Sequence, residues 1–162
     1  MSESEIFETL FKVARSANSE RGAVAACLVR NGVILVIKAS IDNPNRHAED
    51  LLLEEIQQKG MPIGSGDILY STIQPCGERT PGGGGEMFGD CATKIINSPI
   101  KRVVYAMPDM HYSVKVNERF AAAGITASPV NDSVLTEKSR RIFNDTMLDT
   151  EYIKQKGNRA FL

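Results

Sequence analysis

Two apolar, β-rich runs, residues 23–29 and 33–39, meet at Arg30-Asn31-Gly32. Asn-Gly between two such runs is a strong hairpin signal, because both residues tolerate positive φ. Downstream the pattern changes to strand, helix, strand, helix, strand: residues 68–73, 91–97, 102–107, 117–123 (stopped by Gly124) and 125–127. Successive strand–helix–strand units demand parallel, right-handed crossovers, so an antiparallel hairpin followed by crossovers predicts one mixed sheet with helices on both faces. Three further helices complete the pattern. Residues 3–17 carry Ile6, Leu10, Val13 and Ala17 behind a Ser2/Glu5 capping box. Residues 46–59 carry Ala48, Leu51, Leu52 and Ile56 and are stopped by Gly60 and Pro62. Residues 136–156 carry Ile142, Leu148 and Ile153. The order αββαβαβαβα reads as a single three-layer α/β/α domain over residues 1–162, with a mixed five-stranded sheet and a C-terminal helical extension from about residue 131.

At 162 residues such a chain buries roughly 70% of its unfolded surface, so a metal is not needed to make the fold viable and any metal is expected to be functional. Nineteen Lys and Arg against twenty Asp and Glu argue against a strong nonspecific grip on nucleic acid or on an anionic membrane. The apolar stretches fall far short of the ~20 residues that span a bilayer, and the N-terminus, Met1-Ser2-Glu3-Ser4-Glu5, is acidic where a signal peptide is basic. The expected location is the cytoplasm, where three cysteines serve as ligands or as packing rather than as bridges.

The chemistry gathers at helix starts. His47-Ala48-Glu49 opens the second helix, Pro75-Cys76 follows a strand, and Cys91 opens the next helix. One imidazole and two thiolates are enough to hold Zn²⁺ while leaving a fourth tetrahedral position for water, which is the arrangement of a catalytic rather than a structural site. Backbone N–H groups at a helix N-terminus favour anionic sulfur. Glu49, beside this set but outside it, can take a proton from water and pass it to a ring nitrogen and a leaving amine. Cys27, mid-strand among Ala25, Ala26, Leu28 and Val29, reads as core packing.

His47-Ala48-Glu49 with Pro75-Cys76 and Cys91 resembles the zinc-dependent cytidine/deoxycytidylate deaminase superfamily, over roughly residues 3–130. The helix between the last two strands resembles the branch with a parallel fifth strand. Fourteen residues separate the two cysteines instead of the usual two. The intervening Glu78-Arg79-Thr80-Pro81-Gly82 looks like an element of the riboflavin-biosynthesis pyrimidine deaminases, as do Tyr105-Ala106-Met107-Pro108-Asp109 and Asn117 to Ile125. Glu20-Arg21-Gly22-Ala23-Val24 departs from the Asn-Pro-x-Val-Gly that bacterial members of that branch carry before their first strand.

The resemblance implies a cytidine-deaminase-like fold and a Zn²⁺-dependent hydrolase that removes an exocyclic amine from a small aminated heterocycle and releases ammonia. The substrate would be an aminopyrimidine of the riboflavin pathway or a free nucleoside, nucleotide or base. It also implies a homo-oligomer, dimer or tetramer; because no reductase domain follows in the sequence, a bifunctional enzyme is not expected. The expected metal ligands are His47, Cys76 and Cys91, with Glu49 catalytic. Expected substrate contacts are Asn43, which looks like the asparagine that holds the ring or ribose, the backbone near Ala48 and Cys76, Arg79 with its bidentate guanidinium, and His111 beyond the fourth strand, on the side where open α/β sheets bind ligands. Arg79 reads equally as an ion-pair partner of Glu78, Glu86 or Asp90, and His111 as a solvated loop residue. Gly82 to Gly85 lack the placement and the Lys-Ser/Thr of a phosphate-binding loop and read as a lid. Two other functions fit the same residues: a deaminase of tRNA or single-stranded DNA, which needs a basic approach surface such as Lys138, Arg140, Arg141, Lys154, Lys156 and Arg159 would offer, and a non-catalytic zinc module for interactions.

Overall fold

Asn31 and Gly32 both adopt positive φ, 51° and 73°, and the turn they form sets Arg30 opposite Val33 in an antiparallel pair. This hairpin joins β1 (Ala25–Arg30) to β2 (Val33–Ala39). A computed structural model describes residues 1–77, 90–109 and 113–148. Around the hairpin it places α1 (Glu3–Arg15), the two-residue strands β3 (Ile41–Asp42) and β4 (Asn45–Arg46), α2 (Ala48–Gln58), β5 (Ile68–Ile73), α3 (Cys91–Ile96), β6 (Arg102–Met107), α4 (Ser113–Ala122), β7 (Thr126–Pro129) and α5 (Ser133–Asp145). The main sheet has five strands in the order β2-β1-β5-β6-β7. β1 is antiparallel to both of its neighbours, whereas β5, β6 and β7 run parallel. The sheet is therefore the mixed one the sequence predicts, with a parallel fifth strand.

Alternation along the central strands feeds two cores. Cys27, Val29, Tyr70, Val104 and Ala106 point to the face covered by α1 and α5, where they meet Phe7, Leu10, Phe11, Leu135 and Ile142. Leu28, Leu69, Val103 and Tyr105 point to the opposite face, covered by α2, α3 and α4 through Leu52, Ile95, Val116 and Phe120. α1 lies on its face through Ile6, Phe7, Leu10, Phe11 and Ala14, the i, i+4 stripe of an amphipathic helix. Its capping box is complete, with Ser2 Oγ accepting from the Glu5 N–H and Glu5 reaching back to the Ser2 N–H. Phe7 stands edge-on to Tyr70 with ring centroids 5.6 Å apart. Cys27 is fully buried in this core, and burial pushes its thiol up to about 12, as befits a packing residue.

Several sequence-based boundaries differ, those of α4, β7 and α5 among them. α4 begins at Ser113 rather than at residue 117: its buried anchors are Val116 and Phe120, and Val114 in its first turn is 71% exposed, so that turn carries no apolar period. β7 runs over Thr126–Pro129 rather than residues 125–127, because Ile125 is spent in the core and pairing with β6 starts at Thr126. α5 begins three residues earlier than expected because Asp132 caps it, accepting from the Val134 and Leu135 N–H groups at 2.9 and 3.3 Å. It ends at Asp145. Met147 leaves the helix to bridge to Arg21, and the Leu148 N–H donates to the Glu20 carbonyl at 2.7 Å. The predicted continuation over residues 149–156 lies outside the described residues, as does the glycine-rich stretch. Lys138 pairs with Glu8, and Arg140 and Arg141 pair with Glu137, so the described basic side chains of α5 are matched by acids rather than gathered into a patch.

Candidate metal centre and active site

α2 and α3 start side by side at the carboxyl end of β5, and their first turns carry the chemistry. His47 holds the N-cap position of α2 in extended conformation, yet its side chain makes no capping bond. The ring instead turns toward sulfur, with Nδ1 3.3 Å from Cys76 Sγ and 3.5 Å from Cys91 Sγ. Cys91 is the first residue of α3, behind the N-cap Asp90, and its backbone N–H donates to Cys76 Sγ at 3.4 Å. The Ala92 N–H donates to the Cys76 carbonyl at 2.9 Å, fixing the loop after β5 to the same helix start. Asp50 bridges the two helices, accepting from Arg46 Nε at 2.8 Å and from Lys94 of α3. Arg119 of α4 reaches Asp90 and Thr93 at 3.2 and 2.6 Å and braces α3 from its other side.

The donor atoms of His47, Cys76 and Cys91 all lie within 4.8 Å of one another, the one such group among the described residues. Zn–N and Zn–S bonds of 2.0–2.3 Å at a tetrahedral angle put nitrogen and sulfur about 3.6 Å apart. The two observed nitrogen–sulfur separations therefore already match the edges of a zinc tetrahedron, and three donors leave its fourth corner open. The thiols differ in acidity. Cys76 is held well below the usual thiol range because the Cys91 side chain donates to it and His47 and the Cys91 N–H add to that, whereas Cys91, giving its proton to Cys76 and deeply buried, lies well above it. A lowered thiol pKa at Cys76 suits metal capture.

Glu49 is the second residue of α2 and is 3% exposed. Ser71 of β5 donates to its Oε1 at 2.9 Å, and its Oε2 is 3.8 Å from Cys91 Sγ. Burial raises its pKa, so this carboxyl exchanges a proton closer to neutrality than an exposed one.

These groups open into a cavity of about 90 Å³ whose walls include His47, Glu49 and Cys76. Asn43 is exposed and lies outside the lining; the β3–β4 turn, with its cis Asn43–Pro44 bond, sends it to solvent and turns Asn45 inward instead. Ala48 is buried in the core and is not a lining residue. Arg79 and His111 lie outside the described residues. Among the lining residues that were not anticipated are Gln74, Asp109, Arg21 and Phe143. Gln74 accepts from the Asp109 N–H at 3.0 Å and donates to Asn117 at 2.9 Å, and Asn117 donates to the Tyr105 hydroxyl at 3.2 Å. Asp109, two residues past β6 at the carboxyl edge of the sheet, stands where a fold-based search for ligand contacts would have looked. Phe143 comes from α5 and carries no local signal.

The family model of the cytidine and deoxycytidylate deaminase zinc-binding region matches residues 1–107. No curated protein sequence matches the chain. Among solved structures, a diaminohydroxyphosphoribosylaminopyrimidine deaminase/5-amino-6-(5-phosphoribosylamino)uracil reductase from Thermotoga maritima superposes with a TM-score of 0.72 at 23% identity, covering 96% of this chain and 43% of its own. The chain thus spans less than half of that protein. Aspergillus oryzae Rib2 deaminase gives 0.68 at 18% identity over 98% of both chains, and the cyanophage S-TIM5 dCMP deaminase, solved with dCMP and dUMP, gives 0.59 at 18% over 80% of this chain and 99% of its own. These likenesses agree in fold with the mixed sheet and with the two helix starts that meet at its edge. Since the matched stretch contains the whole donor cluster and the carboxylate beside it, the chain belongs to the cytidine and deoxycytidylate deaminase family, hydrolytic enzymes that depend on Zn²⁺.

Proposed function

We propose that this chain hydrolyses the exocyclic C–N bond of a small aminated heterocycle, either an aminopyrimidine of the riboflavin pathway or a free nucleotide, nucleoside or base. In this reading His47, Cys76 and Cys91 hold Zn²⁺ and Glu49 carries protons. One observation supports it above the others: Oε2 of the buried Glu49 carboxylate accepts from Cys91 Sγ, 3.8 Å away in a cluster spaced for zinc, while Oε1 is fixed by Ser71. Zn²⁺ bound there supplies a Lewis acid that makes water a nucleophile near neutral pH. Water oxygen adds to the amine-bearing carbon. Glu49 takes one of its protons at Oε2 and delivers it to the ring nitrogen, then carries the second to the departing nitrogen as the C–N bond breaks, so that ammonia leaves and a carbonyl remains. Ser71 keeps the carboxylate in one orientation through both transfers, and the buried setting limits proton loss to bulk water.

The riboflavin-pathway substrate is favoured by the likeness to the Thermotoga maritima protein, whose name carries that activity. The reading includes a cytoplasmic, homo-oligomeric enzyme. The deciding experiment combines metal analysis with an ammonia-release panel of aminopyrimidine ribotides, cytosine, adenine and guanine derivatives and an RNA hairpin. The expected result is one zinc per chain and ammonia from a small heterocycle. One zinc per chain with no ammonia from any member would leave a non-catalytic zinc module, and turnover of the hairpin alone would make this a polynucleotide deaminase.

A further inference from the structure

α3 is six residues long, and its first residue is Cys91. A helix of that length does not hold its place by propensity, so the position of Cys91 Sγ is set by what the helix is tied to. On one side Arg119 of α4 donates to Asp90 and Thr93 at 3.2 and 2.6 Å. At the sheet edge the Ala92 N–H donates to the Cys76 carbonyl at 2.9 Å. Toward α2, Lys94 Nζ donates to Asp50 Oδ1. Arg46, on the strand that leads into α2, donates to Asp50 Oδ2 through Nε at 2.8 Å and to Glu54 through Nη1 at 2.7 Å, which fixes the Asp50 carboxylate from its own side.

Asp50 is three residues beyond His47, and Lys94 is three residues beyond Cys91. In a helix that offset returns to the same face one turn on. The ion pair therefore spans α2 and α3 one turn behind the point where His47 Nδ1 stands 3.5 Å from Cys91 Sγ. Those two donors belong to different helices, and their separation matches the edge of a zinc tetrahedron only while the two helix starts keep their distance. The strut is well placed to keep it. Asp50 is 7% exposed, so solvent and salt screen the pair less than a surface pair, and its carboxylate lies in the first turn of α2, where the helix N-terminus favours an anion.

We infer that Asp50 and Lys94 are positioning residues for the metal centre: their ion pair sets the separation of the His47 and Cys91 donors, and with it the affinity and shape of the zinc site, without either side chain binding the ion. The inference rests on the reading of His47, Cys76 and Cys91 as ligands and adds what holds two of them at bonding distance. A strut differs from a simple charge effect in sign. Asp50 is negative and Lys94 positive, so through charge alone the loss of Asp50 would weaken metal binding and the loss of Lys94 would strengthen it. A strut fails whichever end is cut, and both losses weaken binding.

The test measures the zinc affinity of the full chain by competition with a chelator, with Co²⁺ absorption as a second report on site geometry. The unaltered protein is expected to bind one zinc, and Cys91→Ala to abolish it. Asp50→Asn and Lys94→Met are each expected to raise the zinc dissociation constant roughly 10-fold or more, the lower end of what partners that orient metal ligands are worth, and to change the intensity of the Co²⁺ d–d bands. Lys94→Arg, which keeps charge and reach, is expected to stay within about threefold of the parent. The Asp50→Asn/Lys94→Met variant should be no weaker than the weaker single variant, since each removes the same interaction. Asp67→Asn cuts a comparable ion pair, with Arg30, outside the site, and should lower the melting temperature without moving zinc affinity, which separates lost stability from lost position. Shifts of opposite sign in Asp50→Asn and Lys94→Met, unchanged affinity in both, or an equal loss in Asp67→Asn overturns the inference and leaves the ligand reading intact. An unaltered protein that binds no zinc, or a Cys91→Ala variant that binds it equally well, overturns the ligand reading and the inference with it. Should Asp50→Asn fail to fold, the 29% exposed Lys94 side chain decides: weaker binding in Lys94→Met but not in Lys94→Arg upholds the inference, and any other pattern overturns it.

Discussion

Replacing Gly22 by Ala probes the cavity wall without touching a polar group. Two costs add. Gly22 has φ 89°, and an L-residue in the left-handed region loses about 1–2 kcal/mol relative to glycine. The new methyl would also sit 2.4 Å from Phe143 Cε2 and 2.5 Å from Cζ, inside any real carbon contact, and Phe143 is 8% exposed against Ile73 and Met107, so the ring has little room to retreat. Overpacking of this kind costs about 1–3 kcal/mol. The expected loss is therefore about 2–5 kcal/mol, read by urea denaturation, and it lowers the melting midpoint by roughly 2–4 °C for each kcal/mol in a chain of this size. The two parts separate in a double-mutant cycle. Phe143→Leu shortens the obstructing ring, so the Gly22→Ala/Phe143→Leu variant recovers the steric part, about 1–2 kcal/mol, and not the dihedral part. A Gly22→Ala protein within 0.5 kcal/mol of the original, or no coupling to Phe143, would refute the reasoning.

Three further outcomes are expected. Glu49→Gln keeps the zinc and loses about 10²- to 10⁴-fold in kcat, the usual worth of a positioned proton carrier; a near-normal rate would remove Glu49 from the mechanism. Cys91→Ala abolishes stoichiometric zinc while Cys27→Ala retains it, because the Cys27 thiol faces the α1 core; metal analysis showing the reverse would exchange the two ligands. Asp67 accepts from Arg30 Nε and Nη2, both at 2.7 Å, which holds its carboxyl below the usual range, helped by the Gly64 N–H at 2.9 Å. A lowered folded-state pKa contributes stability that is complete above the unfolded value of about 4 and is lost as pH falls through the folded value. Asp67→Asn should therefore be less stable than the parent by a constant margin from pH 6 to 8, with the margin closing on acidification below pH 4; a margin that widens in acid would contradict the assignment.

The elements legible in the sequence are those whose signal is local. The Asn31-Gly32 turn, the strands Ile68–Ile73 and Arg102–Met107, and the helix starts at His47 and Cys91 all follow from φ preferences, β-rich runs and capping. So does the donor cluster, because each ligand sits at a helix start or strand end that the pattern already marks. The misread features are settled by partners far away in the chain. α5 stops where it does because Thr146 Oγ1 accepts from the Ala23 N–H and Met147 pairs with Arg21, neither of which a helical period can register. Whether Asn43 or Asn45 faces the cavity depends on which way the β3–β4 turn is rolled, and both asparagines look alike in sequence. Gln74 and Asp109 become a pair only when β5 and β6 lie side by side.

The metal donors and the substrate chamber draw on different spans of polypeptide. The donors come from residues 47–91, whereas the chamber is closed by a bond between Ala23 and Thr146, 123 positions apart. Fraying of the last turn of α5 would leave a molecule still loaded with metal but without a shaped receptacle. The coupling also runs in reverse: whatever fills the chamber adds its binding free energy to that closure. Amide exchange at Thr146 to Leu148 should then slow as ligand is added, making the tail of the helix a reporter of events at a centre to which it contributes no donor.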